Sequence, residues 1–152
     1  MYTKILVAVD ESDTSRHALR QAVELAGRLS ATLRMIHVVD MSWLPIGPEV
    51  AIDTGALSAA RRGVGEKALA LARDAAREAG FEAEAGLIET ETPIQHVAEV
   101  LAREAARWGA DLVVMGTHGR RGFQHLMLGS VAEKMVRLSS LPVLLVPLPK
   151  GQ

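Results

Sequence analysis

Ile5-Leu6-Val7-Ala8-Val9 is an unbroken aliphatic run that stops at a charge, Asp10, and is followed by the hydroxyl-rich cluster Ser12-Asp13-Thr14-Ser15. A strand with one face in water alternates polar and apolar residues. A short run without alternation reads instead as a strand covered on both faces, the condition of a parallel sheet with helices above and below. Four more such runs follow, at residues 33–39, 83–88, 111–115 and 142–146, of which 83–88 is the weakest.

The intervals carry helical spacing. The first helix starts within Ser12-Asp13-Thr14-Ser15 and presents Leu19, Ala22, Val23, Ala26 and Leu29. The second spans residues 57–79 with Val64, Ala68, Leu71 and Ala75 as its stripe, while Gly63 and Gly65 weaken its opening turns. For the third, Thr92-Pro93-Ile94-Gln95 supplies an N-cap, a proline at N1 and a glutamine at N3, ahead of Ile94, Val97, Ala98, Leu101, Ala102 and Ala105. It is expected to end near Trp108-Gly109. The fourth opens on the capping box Ser130-Val131-Ala132-Glu133 and runs to about Leu138.

Strand and helix therefore alternate through to a closing strand. This predicts an α/β domain, a doubly wound five-stranded parallel sheet of order 3-2-1-4-5, Rossmann-like, over residues 1–148 with a tail at 149–152. Ligands in such sheets bind outside the carboxyl ends of the strands where the winding reverses. The loops after Val9, Val39 and Met115 are the places to look. Residues 40–55 form a long connection with Trp43, Leu44, Pro45, Ile46 and Pro48, either a flap over a ligand or a surface loop with apolar anchors.

Composition narrows the function. The 152 residues hold 17 Lys+Arg against 18 Asp+Glu, a net charge of −1, which argues against a nucleic-acid or anionic-membrane binder. No run reaches a membrane span or a secretory leader, so the cytoplasm is the expected address. With no Cys, thiol catalysis, disulfides and Cys-ligated metals are excluded. The five histidines, His17, His37, His96, His118 and His125, show no metal-ligand spacing, and no protein metal site or catalytic residue is assigned. A Walker A motif and a receiver-type acceptor set are both missing.

The chemistry concentrates after the fourth strand, where Gly116-Thr117-His118-Gly119 and Gly129-Ser130 form a G-x2-G-x9-G-S pattern. Glycines there let backbone N–H groups approach a ligand, and a helix start favours an anion. The Ser130 hydroxyl either caps its helix or donates to a phosphate oxygen. Asp10 either accepts from ribose hydroxyls or an adenine amine, or caps the first helix with Ser12. His118 touches phosphate or orients the loop, with the second preferred. Arg120 and Arg121 either neutralise phosphate or stand in solvent.

The Ile5-Leu-Val-Ala-Val-Asp10-Glu-Ser start, the Ile36-His-Val38 strand end and the spaced Gly116/Gly119/Gly129-Ser130 segment resemble the universal stress protein family over nearly the whole chain. The motif is similar to that of the subgroup that binds ATP. The resemblance implies that Asp10 contacts adenine or ribose, that Val38 presents its backbone to the adenine edge, and that Ala8, Val9 and Gly116 flank the ribose. Gly119, Gly129, Ser130 and Val131 would hold the phosphates, with Mg or Mn bridging phosphate oxygens. Ala8 stands where some relatives have Pro, and Glu91 where the family often has Gly before the third helix. The resemblance also implies a homodimer through the edge strand Pro142-Val143-Leu144-Leu145-Val146, whose alternative is shielding by Pro142, Pro147 and the tail.

The functional expectation is a stress-response regulatory protein that binds ATP. The alternatives are a slow ATP hydrolase or nucleotidyl transferase, and a dimeric interaction module that binds another adenine nucleotide such as cyclic AMP.

Overall fold

The computed structural model describes residues 1–42, 53–119 and 128–149. Its elements are β1 (Lys4–Ala8), α1 (Asp13–Leu29), β2 (Thr32–Val39), α2 (Thr54–Glu78), β3 (Glu84–Glu89), α3 (Val97–Trp108), β4 (Leu112–Gly116), α4 (Ser130–Leu138) and β5 (Val143–Val146). All strand pairs are parallel and the order is β3-β2-β1-β4-β5, as the sequence predicts. The chain is a doubly wound, Rossmann-like α/β fold.

The unbroken aliphatic runs follow from burial on both sheet faces. Ile5, Val7, Leu33, Met35 and Val114 point into one hydrophobic cluster with α1 and α2. Their neighbours Leu6, Ile36, Val113 and Met115 point into a second cluster with α3 and α4. Each of these aliphatic side chains thus has an apolar destination, and burying one typically stabilises the fold by about 1.5–3 kcal/mol. Among the described residues no helix is long and apolar enough to cross a membrane.

At the amino-terminal edge of the sheet the strand starts are tied together. Asp111, just before β4, accepts hydrogen bonds from the Thr3 N–H and hydroxyl at 2.8 Å each and from the Lys4 N–H at 3.0 Å. Burial alone would push its carboxyl up, but these donors outweigh it and hold the group below the usual carboxylate range. Lys4 donates to the Trp108 carbonyl, and its ammonium lies 4.4 Å from the Trp108 ring centroid. Glu104, only 5% exposed, is held between Arg34 at 2.9 Å and Arg107 at 2.8 Å.

Three local expectations are corrected. α3 begins at Val97 after the N-cap His96, and not at Thr92. The Gln95 side chain turns back to accept from the Glu91 N–H at 2.6 Å, and the Gln95 N–H donates to the Thr92 carbonyl at 3.2 Å, closing a separate turn that leaves Ile94 83% exposed. In α4 the N-cap is Gly129, Ser130 is the first helical residue, and the expected Ser130 capping bond is not made. On α2 the buried stripe is Gly65, Ala68, Leu69, Ala72 and Ala76, whereas Leu71 is 56% exposed.

The α2 stripe shifts because Gly65 is a contact surface and not a flaw in the helix. A Cβ there would stand 2.6 Å from both His37 Cδ2 and Leu87 Cδ1, so α2 approaches β2 and β3 only because none is present. Gly63, two residues earlier, has nothing within 4 Å of its hypothetical Cβ. Equilibrium urea unfolding should separate the two: Gly65→Ala lowers stability by about 1–3 kcal/mol through overpacking, while Gly63→Ala raises it by about 0.5–1 kcal/mol through helix propensity.

Candidate functional site

A cavity of about 630 Å³ opens at the carboxyl ends of β2, β1 and β4. Its floor is the ends of the strands and its walls come from both helical layers, with Val97 and Leu101 of α3 on one side and Ala60, Arg61 and Val64 of α2 on another. Of the residues expected at a site, Ala8, Val9, Asp10, Val38, Gly116, Gly119, Ser130 and Val131 line it together. Gly129 does not, and Arg120 lies outside the described residues, as do Arg121, His125 and residues 43–52 of the long connection.

Asp10 does two jobs with two oxygens. Oδ1 accepts from the Ser12 N–H at 2.7 Å, making the turn that leads into α1, and Ser12 in turn caps the helix by accepting from the Ser15 N–H at 3.2 Å. The Asp10 N–H donates to Ser15 Oγ at 2.8 Å. Oδ2 faces Gly119, whose Cβ, if it had one, would sit 3.2 Å away. The capping and the site-facing readings of Asp10 are therefore compatible.

That turn also opens the ladder. The Val9 N–H donates to the Ile36 carbonyl at 2.9 Å, and the Thr90 N–H donates to the Val39 carbonyl at 3.1 Å. Because backbone groups alternate sides along a strand, the N–H and C=O of Val38 point toward β1. The β1·β2 register ends at Ala8 opposite Ile36, and the Val9 carbonyl is bonded to His37 Nδ1 at 2.8 Å. The Val38 pair is thus left facing the cavity past the end of β1, a donor and an acceptor side by side.

The glycine segment is fixed from α1. Gly116 packs so closely that a Cβ would come within 2.9 Å of Thr14 Cβ and 3.0 Å of its carbonyl carbon. The Thr14 hydroxyl, in a side chain 6% exposed, donates to the His118 carbonyl. His118 Nδ1 pairs with Thr117 Oγ1 at 2.9 Å, within the same loop.

Gly129 has a different role from the one expected. Its N–H donates to the Thr117 carbonyl at 2.8 Å, pinning the start of α4 against the glycine loop, and its carbonyl accepts from the Glu133 N–H at 2.9 Å. Glu133 is the first donor inside the helix, so the N–H groups of Ser130, Val131 and Ala132 have no intrahelical acceptor. All three residues line the cavity. Backbone donors at the positive end of a helix dipole suit an anion, and the Ser130 hydroxyl, released from capping, adds a donor.

Arg61 was missed by sequence reasoning. It lines the cavity and its Nη1 donates to the Asp40 carbonyl at 2.6 Å. The spacing Arg61, Val64, Ala68 places it on the buried side of α2, but an arginine on a long helix reads as solvated.

Comparison with known proteins matches residues 1–147 to the universal stress protein family. The universal stress protein YxiE of Bacillus subtilis is 34% identical over 96% of this chain and 99% of its own. A crystal structure of a universal stress protein family member from Burkholderia pseudomallei superposes with a TM-score of 0.79 at 38% identity, covering 97% of each chain. The universal stress protein of Archaeoglobus fulgidus, solved in complex with dAMP, superposes with a TM-score of 0.65 at 25% identity over 95% of this chain and 98% of that one.

The glycines of the segment should separate by what their Cβ would meet. Gly116→Ala must move the Thr14 backbone and is expected to cost about 1–3 kcal/mol in chemical denaturation. Gly119→Ala meets only the tip of a side chain and should unfold within about 0.5 kcal/mol of the parent.

Proposed function

The chain belongs to the universal stress protein family, and on that premise we propose that it is a regulatory protein that binds ATP across the carboxyl ends of β2, β1 and β4. The observation that carries the reading is the convergence in one cavity of the Val38 backbone beyond the end of β1, the Asp10 Oδ2 oxygen and the three α4 amides that have no intrahelical acceptor. Those three kinds of group match the three parts of a nucleotide. Adenine offers an acceptor beside an amine for the Val38 N–H and C=O. Ribose hydroxyls donate to a carboxylate. Phosphate oxygens accept from Ser130, Val131, Ala132 and the Ser130 hydroxyl, with Gly119 leaving room for them.

The base would lie over the end of β2 between the α3 wall and the α2 wall, with Ala8, Val9 and Gly116 beside the ribose. A volume of about 630 Å³ is of the size that such ligands fill. Among the described residues no group of three or more His, Asp or Glu side chains is placed to hold a metal ion. A divalent cation would therefore be held by the phosphate oxygens themselves, where it supplies charge neutralisation. Binding, not turnover, is the activity proposed, and a cytoplasmic location belongs to the same reading.

A second reading, binding of an adenine nucleotide with a single phosphate, is favoured by the dAMP complex of the Archaeoglobus relative. Isothermal titration of nucleotide-free protein with MgATP, AMP and cyclic AMP decides between the two. The first expects ATP to bind most tightly; tighter AMP or cyclic AMP favours the second, and silence at millimolar concentration of all three defeats both. Gly119→Leu, which fills the phosphate end of the cavity, should weaken ATP binding at least about tenfold while leaving Tm within a few degrees. Repeated turnover to ADP or AMP, lost in Asp10→Ala, would show instead a hydrolase or nucleotidyl transferase.

We also propose that the chain forms a homodimer through its edge strand. β5 lies at the end of the sheet, and Leu144 is 40% exposed there, with Val136 and Leu138 at 52% and Leu148 at 45%. An uncovered apolar edge invites pairing, and a second copy supplies a matching strand. Sedimentation equilibrium of the parent should give a dimer and Leu144→Lys a monomer; a parent that sediments as a monomer at tens of micromolar removes the proposal.

A further inference from the structure

We propose that Arg61 is the base-binding residue of this site, its guanidinium covering one face of the adenine ring from the α2 wall. The inference rests on the nucleotide reading above and adds a residue to it.

Three observations lead there. Among the described residues the cavity lining contains no Phe, Tyr or Trp, and its two imidazoles, His37 and His118, are held through Nδ1 by the Val9 carbonyl and Thr117 Oγ1. Of the cationic side chains that line it, Arg61 is the one arginine or lysine among the described residues, and a guanidinium is planar, delocalised and well suited to lie on an aromatic face. Finally, Arg61 is anchored. Its Nη1 donates to the Asp40 carbonyl at 2.6 Å, one residue beyond the end of β2. The Asp40 carboxylate is engaged with Ser42, its Oδ1 accepting from the Ser42 N–H at 2.9 Å. Among the described residues no carboxylate forms an ion pair with Arg61, whereas the adjacent Arg62 is paired with Glu89 at 2.5 Å. One edge of the guanidinium is thus fixed, and among the described residues no carboxylate is paired with it.

Position within the cavity assigns the base and not the phosphates. Strands in a sheet stand about 4.8 Å apart, so β2 and β4, with β1 between them, are separated by roughly 10 Å. Arg61 is tethered at the β2 end, next to Val38, while the amides of Ser130, Val131 and Ala132 and Gly119 lie at the β4 end. A nucleotide with its phosphates on the α4 amides brings its base, not its phosphates, to Arg61. The Asp40 carbonyl holds the guanidinium in place before ligand arrives, which reduces the entropy lost on stacking.

The test compares adenosine with ATP. Arg61→Ala is expected to weaken both by the same factor, about tenfold, in isothermal titration. Arg61→Lys retains the charge and a donor for the Asp40 carbonyl but has no planar face. It should restore the parent Tm and leave most of the affinity loss in place. Unchanged affinity for both ligands in Arg61→Ala overturns the inference. So does a loss confined to ATP, which makes Arg61 a phosphate ligand, and so does full recovery of adenosine affinity in Arg61→Lys, which reduces its role to the hydrogen bond. Should Arg61→Ala fail to fold, Arg61→Lys alone decides by the same split between Tm and affinity. Parent protein that binds neither adenosine nor ATP overturns the nucleotide reading itself, and the inference with it.

Discussion

The turn at Asp10 is the constraint from which the rest of the carboxyl edge follows. Its N–H goes to Ser15 Oγ and its Oδ1 takes the Ser12 N–H, so the chain leaves the sheet and enters α1 within a few residues. β1 lies at the centre of the sheet, between β2 and β4. Ending it early therefore leaves a gap in the ladder with neighbours on both sides, and the Val38 N–H and C=O border that gap. The same turn directs Thr14 at the glycine loop, where the Thr14 hydroxyl meets the His118 carbonyl and the absent Cβ of Gly116 makes room. One local choice of hydrogen bonds thus shapes the cavity and positions the segment that borders it.

Much of this was legible in the sequence because burial on both faces leaves a strong mark. The runs at Ile5–Val9 and around Val113 had no other plausible reading, and parallel order with the switch point between β1 and β4 came with them. The readings that failed were those in which two hydrogen-bonding schemes compete locally. Thr92-Pro93-Ile94-Gln95 has a good helix start, yet the Gln95 side chain bonds the Glu91 N–H and closes a turn first. Ser130 reads as a cap, but Gly129, fixed by Thr117, takes that place. On α2, Leu71 reads as inward by its spacing from Val64 and Ala68, but the close approach at Gly65 sets the rotation of the helix. Such long-range contacts leave no periodic signal.

The site residues divide in the same way. Glycines at a strand end and an acid after the first strand can be picked out by position, whereas the placement of the α4 start beside them depends on a long-range contact, Gly129 N–H to the Thr117 carbonyl. Arg61 carries no motif at all. Its place in the cavity depends on α2 lying close to β2, hence on Gly65. The near-zero net charge is consistent with this design, because an anion site built from main-chain N–H groups needs few basic side chains.

The two edges of the sheet are finished differently. At the amino edge Asp111 joins Thr3 and Lys4, and Glu104 joins Arg34 and Arg107, so these polar side chains tie the strand starts to one another and to α3. At the carboxyl edge the first α4 amides have no intrahelical acceptor, and the Val38 pair lies past the end of the β1 ladder. The kinetic consequence is a division of labour in opening. Amide hydrogens of β1 and β4 exchange only when the sheet itself comes apart, whereas those around the cavity exchange through small excursions of the surrounding turns. The arrival and departure of a small molecule at the cavity are therefore independent of the slow unfolding of the sheet.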